Sequence, residues 1–101
     1  MKYALSSDEF KDVYHNSHSL LTHGLLFKYT YNQSPKLGFI VSKKYGNSVN
    51  RNLFKRRCRY GFYQLIKHGF NYSVIIQPKD NNISWITINK AFEILYEKIT
   101  D

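Results

Sequence analysis

Alternating apolar and polar positions indicate β-strands in the middle of the chain. Within Leu25–Tyr31 every second side chain is apolar and would share one face, which is the period of a half-buried strand. A turn at Asn32–Pro35 separates it from a second strand at Leu37–Ser42, and we expect these two strands to form a hairpin. The run Tyr72–Gln77 is apolar almost throughout and stops at Pro78, which is typical of a fully buried strand.

A short first helix is predicted near the start of the chain. Ser6 and Glu9 have the spacing of a capping box, and Leu5 can pack on Phe10 across the cap. The apolar positions that follow lie on one face of the helix, since they are three or four residues apart. They are Phe10, Val13 and Tyr14.

Two longer helices follow. The segment Gly46-Asn47-Ser48 supplies an N-cap for a helix over residues 49–67, and Gly69 is a suitable stop. After a turn at residues 80–82, Ser84 can cap a last helix. The apolar stripe of that helix is Ile88, Phe92, Leu95 and Ile99. The order helix, hairpin, helix, strand, helix predicts an α+β fold, a single domain over residues 1–101 with helices layered on a mixed sheet.

Charge is distributed very unevenly along the chain. Between Val13 and Lys79 there are seven lysines and four arginines but no acid. The seven acids all lie outside this segment, and the four arginines fall between Arg51 and Arg59. Such a concentration attracts a polyanion and speeds its encounter. Solubility alone would not require removing every acid, so the segment is predicted to bind nucleic acid.

The helix over residues 49–67 separates apolar from basic side chains. One side gathers Phe54, Cys58, Gly61, Phe62 and Leu65, and another gathers Asn52, Lys55, Arg56, Arg59 and Tyr63. Arginine suits phosphate because its planar fork donates two parallel hydrogen bonds. Like charges one turn apart repel each other, so this arrangement favours a bound anion. Lys43, Lys44 and Gly46 lead into the helix N-terminus, where backbone N–H groups would also face a phosphate.

Other classes of protein are less consistent with the sequence. No secretory signal or apolar run of the ~20 residues that a bilayer requires is present, so we expect no membrane partner. Cys58 is the single cysteine, which precludes an intramolecular disulfide and fits a reducing cytoplasm. We expect this thiol to be buried in the core.

A stand-alone nuclease would need clustered carboxylates for Mg²⁺, or a general base with a partner. The acids lie at the two ends of the chain and the four histidines have no regular metal-ligand spacing, so we expect no catalytic residue and no metal ligand. A small ribosomal protein or a general RNA-binding or chaperone domain fits the charge and size equally well, and this alternative stays open.

The segment Ser42–Arg59, with the sequence SKKYGNSVNRNLFKRRCR, carries a longer pattern. It closely resembles the signature of the bacterial ribonuclease P protein family. That family shows a strand ending in Val-Ser-Lys-Lys, then Gly-Asn, then a helix with Arg-Asn-x-x-Lys-Arg-x-x-Arg. The resemblance extends more weakly over nearly the whole chain. Tyr60 is a departure, because it stands where the family commonly has an acid or an amide.

The resemblance implies a fold of the order α-β-β-β-α-β-α around a four-stranded sheet, with a left-handed crossover through the Arg-rich helix. It implies that the protein binds, as a monomer in a one-to-one complex, a catalytic RNA that removes the 5′ leader from precursor tRNA. The Mg²⁺ that generates the attacking hydroxide would be bound mainly by that RNA. The leader would lie in a cleft between the first helix and the sheet.

The resemblance also implies roles for individual residues. RNA and phosphate contacts fall to Lys43, Lys44, Arg51, Asn52, Lys55, Arg56 and Arg59. The leader-binding cleft would be lined by Phe10, Tyr14 and Tyr29. Charge along the backbone and aromatic surfaces under the bases are what hold a single strand. For the three aromatic residues, ordinary packing in the core is an open alternative.

Overall fold

A four-stranded mixed sheet with helices on both faces organises the chain, as seen in a computed structural model that describes residues 3–100. The helices are α1 (Ser7–His15), α2 (Ser48–Lys67) and α3 (Trp85–Thr100). The strands are β1 (His18–Thr22), β2 (Leu25–Tyr31), β3 (Leu37–Phe39) and β4 (Tyr72–Pro78). A 3₁₀ turn at Lys43–Tyr45 precedes α2. The order α-β-β-β-α-β-α agrees with the fold that the resemblance implied.

The strand order is β1-β2-β4-β3, so the predicted hairpin between β2 and β3 is wrong. β4 lies between them, antiparallel to β2 and parallel to β3. The physical reason is burial, because the apolar run of β4 is covered on both faces and therefore belongs at the centre of the sheet. The buried Ser73 hydroxyl accepts hydrogen bonds from the Asn32 side chain (2.9 Å) and from the Lys36 N–H (3.2 Å), which fixes the connection between β2 and β3.

The hairpin partner of β2 is β1, which the residue pattern alone did not reveal. Its two-residue turn consists of His23 and Gly24, both with positive φ, as the tightest hairpin turns require. β1 is an edge strand with three of its five residues exposed. Its alternation is correspondingly weak.

Strand register assigns the side chains of the sheet to two faces. Phe27, Ile76 and Phe39 are neighbours across β2, β4 and β3, so they share a face. That face packs on α2 and α3, where the ring of Phe27 lies 5.3 Å from that of Phe92 and the ring of Phe39 lies 6.5 Å from that of Phe54. The main core therefore lies between the sheet and these two helices.

The opposite face of the sheet carries α1. Lys28, Ile75 and Gly38 are neighbours across the three strands on this face. A Cβ at Gly38 would lie 2.9 Å from Cδ1 of Leu5 and 2.9 Å from Cδ2 of Phe10. The missing side chain at Gly38 therefore allows α1 to approach the sheet closely.

Candidate nucleic-acid interface

α2 begins at a well-formed cap. The Asn47 side chain accepts a hydrogen bond from the Asn50 N–H at 2.9 Å, which confirms the N-cap predicted within Gly46-Asn47-Ser48. At the other end, Gly69 adopts φ +83° and its N–H donates to the Ile66 carbonyl at 3.0 Å, which confirms the predicted stop. These two ends give a helix of 20 residues.

Lys43 and Lys44 lie exposed in the 3₁₀ turn just before this helix. Tyr45 anchors the turn, since its ring is buried and its hydroxyl accepts a hydrogen bond from the Ile83 N–H at 3.2 Å. Burial raises the pKa of the Tyr45 hydroxyl, which therefore stays protonated. The two lysines are thus held near the N-terminal end of α2, where free backbone N–H groups favour an anion.

The apolar side of α2 agrees with the helical wheel. All five residues predicted for it are buried, namely Phe54, Cys58, Gly61, Phe62 and Leu65. Burial raises the pKa of the Cys58 thiol, so this cysteine remains a neutral core side chain, as predicted.

The other side of α2 presents the residues that we call the basic row: Asn52, Lys55, Arg56 and Arg59. Asn52 and Arg56 are exposed, while Lys55 and Arg59 are half-buried. Within residues 3–100 the single ion pair joins Lys36 and Glu9, so no acid there neutralises the row. Just before it, the Arg51 guanidinium donates to the Ser48 hydroxyl at 3.2 Å. Positive charges on one helix face repel each other, and bound phosphate groups would relieve this repulsion.

Arg59 differs from Arg56 in its surroundings. Its guanidinium carbon lies 5.7 Å from the centre of the Phe39 ring, which is a cation–π distance. Its Nε is buried and has no hydrogen-bond partner among the described residues. Arg59 therefore contributes to packing as well as to the charge of the row, whereas Arg56 is free to act through its charge alone.

A second candidate surface lies on the other face of the sheet, at α1. Phe10 and Tyr14 are stacked, with ring centres 6.5 Å apart and an interplanar angle of 13°. The Lys28 Nζ lies 4.7 Å from the centre of the Tyr14 ring. Two aromatic rings beside a lysine are suited to a single strand, which offers bases and phosphates together.

Tyr29 does not join this surface. It follows Phe27 by two positions in β2, so its side chain points to the opposite face of the sheet, and it is only 7% exposed. There its ring lies 5.6 Å from that of His18 and 5.9 Å from that of Tyr72. The prediction that Tyr29 lines one cleft with Phe10 and Tyr14 is therefore wrong. Lys28, which was not among the predicted site residues, is the β2 residue at that place, and its alternation with Tyr29 was the available signal.

The start of α1 is fixed by the predicted capping box. Glu9 donates its N–H to the Ser6 hydroxyl at 3.2 Å and its carboxylate accepts from the Ser6 N–H at 2.9 Å. The carboxylate also binds the Lys36 Nζ at 2.8 Å. The Lys36 hydrogen bond, followed by those of Ser6, lowers the pKa of Glu9 to about 2. This one carboxylate ties α1 to the loop before β3.

Residues 3–100 bring together no group of three His, Cys, Asp or Glu side chains that could hold a metal ion. In the same part of the chain, no helix is both long and apolar enough to cross a membrane.

Comparison with known proteins gives consistent matches. A sequence model of the family described as Ribonuclease P matches residues 4–100. The ribonuclease P protein component of Clostridium kluyveri is 33% identical over 98 residues, which span 89% of this chain and 87% of the relative. That of Mesomycoplasma hyopneumoniae is 29% identical over 94 residues, spanning 90% of this chain and 80% of the relative. The solved structure of the Staphylococcus aureus RNase P protein superposes with a TM-score of 0.81 at 25% identity, covering 100% of this chain and 97% of that one.

Proposed function

The chain belongs to the ribonuclease P protein family, and from this premise we propose how its two surfaces divide the work of the enzyme. It is an RNA-binding subunit of an endoribonuclease that matures the 5′ ends of tRNA. Family membership decides against the alternative of a small ribosomal protein or a general RNA chaperone. Each of the two surfaces has its own RNA partner.

The basic row of α2, with Lys43 and Lys44 before it, binds the phosphates of a catalytic RNA. The observation that supports this assignment is the row itself, where Lys55, Arg56 and Arg59 have no acidic partner within residues 3–100. Arg51 at the first turn extends the same charge toward the two lysines. A polyanion lying along this helix would offset the repulsion between these cations.

The surface at α1 binds the single-stranded 5′ leader of precursor tRNA. Phe10 and Tyr14 offer stacked rings to the bases, and Lys28 offers charge to the phosphates. Tyr29 is not part of this site, because it packs on the other face of the sheet as a buried residue of β2. The two RNA surfaces thus lie on opposite sides of one thin sheet.

Cleavage chemistry would belong to the RNA partner, which would bind most of the catalytic Mg²⁺; that ion would supply the attacking hydroxide. Residues 3–100 of the protein gather no ligand set of their own for such an ion. The protein acts as a monomer in a one-to-one complex with the RNA. We place this activity in the cytoplasm, where a buried, unpaired thiol such as that of Cys58 stays reduced.

Reconstitution tests this proposal. Protein freed of all RNA should not cleave precursor tRNA, whereas added to a catalytic RNA at low Mg²⁺ it should raise the rate at which the 5′ leader is released. The RNA without protein at the same Mg²⁺ concentration is the control. Metal-dependent cleavage by the RNA-free protein, or no effect of the protein on the RNA, would refute the division of roles.

A further inference from the structure

Beside the basic row, α2 and α3 form a mixed aromatic and cationic cluster that belongs neither to the basic row nor to the surface at α1. The rings of Tyr60 and Trp85 lie 5.4 Å apart at an angle of 48°. The Arg57 guanidinium carbon lies 5.9 Å from the centre of the Trp85 ring. Although the pair joins two helices, Tyr60 remains 52% exposed. A large aromatic surface that stays open beside a cation is suited to a ligand with both a ring and a negative charge.

The cluster is continuous with the basic row. Arg56 and Tyr60 are four residues apart, so they are neighbours along the helix surface. Arg57 follows Arg56 directly and, among the described residues, forms no ion pair. An RNA strand lying on the basic row would therefore pass within reach of Tyr60 after one helical turn.

Polar groups lie on the other side of Arg57. A notch of about 150 Å³ has Arg57 in its wall together with Asn50, Asn82 and Ser84. Ser84 caps the start of α3, where its hydroxyl accepts from the Thr87 N–H at 3.2 Å. Amide and hydroxyl groups of this kind can hydrogen-bond a sugar and a phosphate.

We propose that Tyr60 and Trp85 form a stacking site for one unpaired base of an RNA strand that runs along α2, with Arg57 binding an adjacent phosphate. The contact with the Trp85 ring positions the guanidinium of Arg57 while its N–H groups remain able to donate to a phosphate. Aromatic rings accept any base, so the site favours single-stranded over paired RNA. This inference rests on the proposed RNA-binding role of the basic row.

The chain contains one tryptophan, so its intrinsic emission reports on this site directly. Titration with a short oligoadenylate RNA should quench the Trp85 emission, whereas an RNA duplex of the same length should quench it less. The reason is that the bases of a duplex are already stacked on one another and are not free to stack on a side chain.

Substitutions of Tyr60 and Arg57 test whether RNA binds at this cluster. Tyr60→Leu keeps an apolar side chain but removes the ring, and should weaken oligoadenylate binding about 5- to 150-fold, the range that corresponds to one stacked base. Its salt dependence should stay the same because no phosphate contact is lost. Arg57→Ala should instead reduce the log–log salt slope by about 0.7. The matched control is Tyr31→Leu, since Tyr31 is also an exposed tyrosine (60%) but lies on β2, away from α2.

The outcomes separate this proposal from the one it rests on. If the wild-type protein binds oligoadenylate with no change in Trp85 emission and Tyr60→Leu binds equally well, Tyr60 and Trp85 serve only to pack α2 on α3 and the stacking site is refuted. Arg56→Ala would still weaken RNA binding in that case. If Arg56→Ala also binds RNA normally, the proposed role of the basic row fails as well. Thermal melting of each variant excludes unfolding as the cause.

Discussion

Replacement of Arg56 by alanine is the most direct test of the basic row. The side chain is exposed and has no hydrogen bond, ion pair or ring contact within residues 3–100. Its removal therefore costs no packing. Alanine is also the better helix former, and the change relieves repulsion with neighbouring cations. We expect the free energy of unfolding to stay the same or to rise by a few tenths of a kcal/mol.

RNA binding should respond in the opposite direction. Each phosphate contact contributes about 0.7–0.9 to the slope of log K against log salt, with the lower value for single strands. Arg56→Ala should reduce the slope by about that amount for one lost contact. Arg56→Lys should restore the slope but only part of the affinity, because a point charge cannot reproduce a two-pronged hydrogen bond.

Arg59→Ala provides the comparison on the same helix. Its guanidinium packs on Phe39, so its loss should cost about 0.5–1 kcal/mol of stability, which lowers the melting temperature of a domain of this size by several degrees. Salt titrations and thermal melts of both variants separate the two roles. If Arg56→Ala melts well below the wild type and keeps the wild-type salt slope, then Arg56 is structural and the RNA-binding surface is wrongly assigned.

Further substitutions test other parts of the structure. Phe54→Ala should lower the free energy of unfolding by about 3–5 kcal/mol, because the ring is fully buried, and should reduce RNA binding only in proportion to the unfolded fraction seen in melts. Tyr14→Leu should weaken binding of leader-bearing precursor tRNA by at least about fivefold, with little change for mature tRNA. Tyr29→Leu should instead lower the melting temperature and affect the binding of both RNAs alike, because Tyr29 is buried. Equal losses of affinity for both RNAs with Tyr14→Leu would contradict a leader site at α1. The pKa of Glu9 is lowered to about 2, so the stability that its carboxylate contributes to the fold should be complete above about pH 4.5 and be lost as the pH falls toward 2. Denaturation curves of Glu9→Gln, measured across this pH range, should lack this part of the pH dependence. Gly38→Ala should shift α1 away from the sheet, because a Cβ would lie 2.9 Å from Phe10, and should weaken leader binding in fluorescence titrations while the salt slope for an RNA bound at α2 stays unchanged.

The helices could be predicted from the sequence because the signals that define them are local. The capping box of α1, the Asn47 cap of α2 and the stop at Gly69 depend on residues only a few positions apart. Strand pairing is not local. The hairpin of β2 with β3 was predicted because they follow each other in the chain, but the burial of β4 on both faces gives β4 the central position. The residues of β1 do not indicate a strand, because an edge strand needs little apolar alternation.

The positions of the candidate residues could be predicted where they lie on one helix, but not fully where they span two elements. The basic row belongs to α2 alone, so helical periodicity was sufficient to find it. The surface at α1 depends on which face of β2 meets the helix. Alternation places Tyr29 and Lys28 on opposite faces of β2, but it does not say which of the two faces meets α1. The Tyr60–Trp85 contact joins residues that are distant in the sequence, so no pattern indicated it.

The separation of charge explains why a small domain can sustain such a concentration of cations. The acids of α1 are used locally, as when Glu9 caps the helix and binds Lys36, a lysine outside the basic row. The acids of α3 include Glu93 and Glu97, which line a groove between α2 and α3 rather than the face of the row. Among residues 3–100, no carboxylate therefore competes with RNA for the cations of α2. The resulting repulsion weakens the free protein slightly, and the same repulsion, relieved when phosphates bind, becomes part of the affinity for RNA.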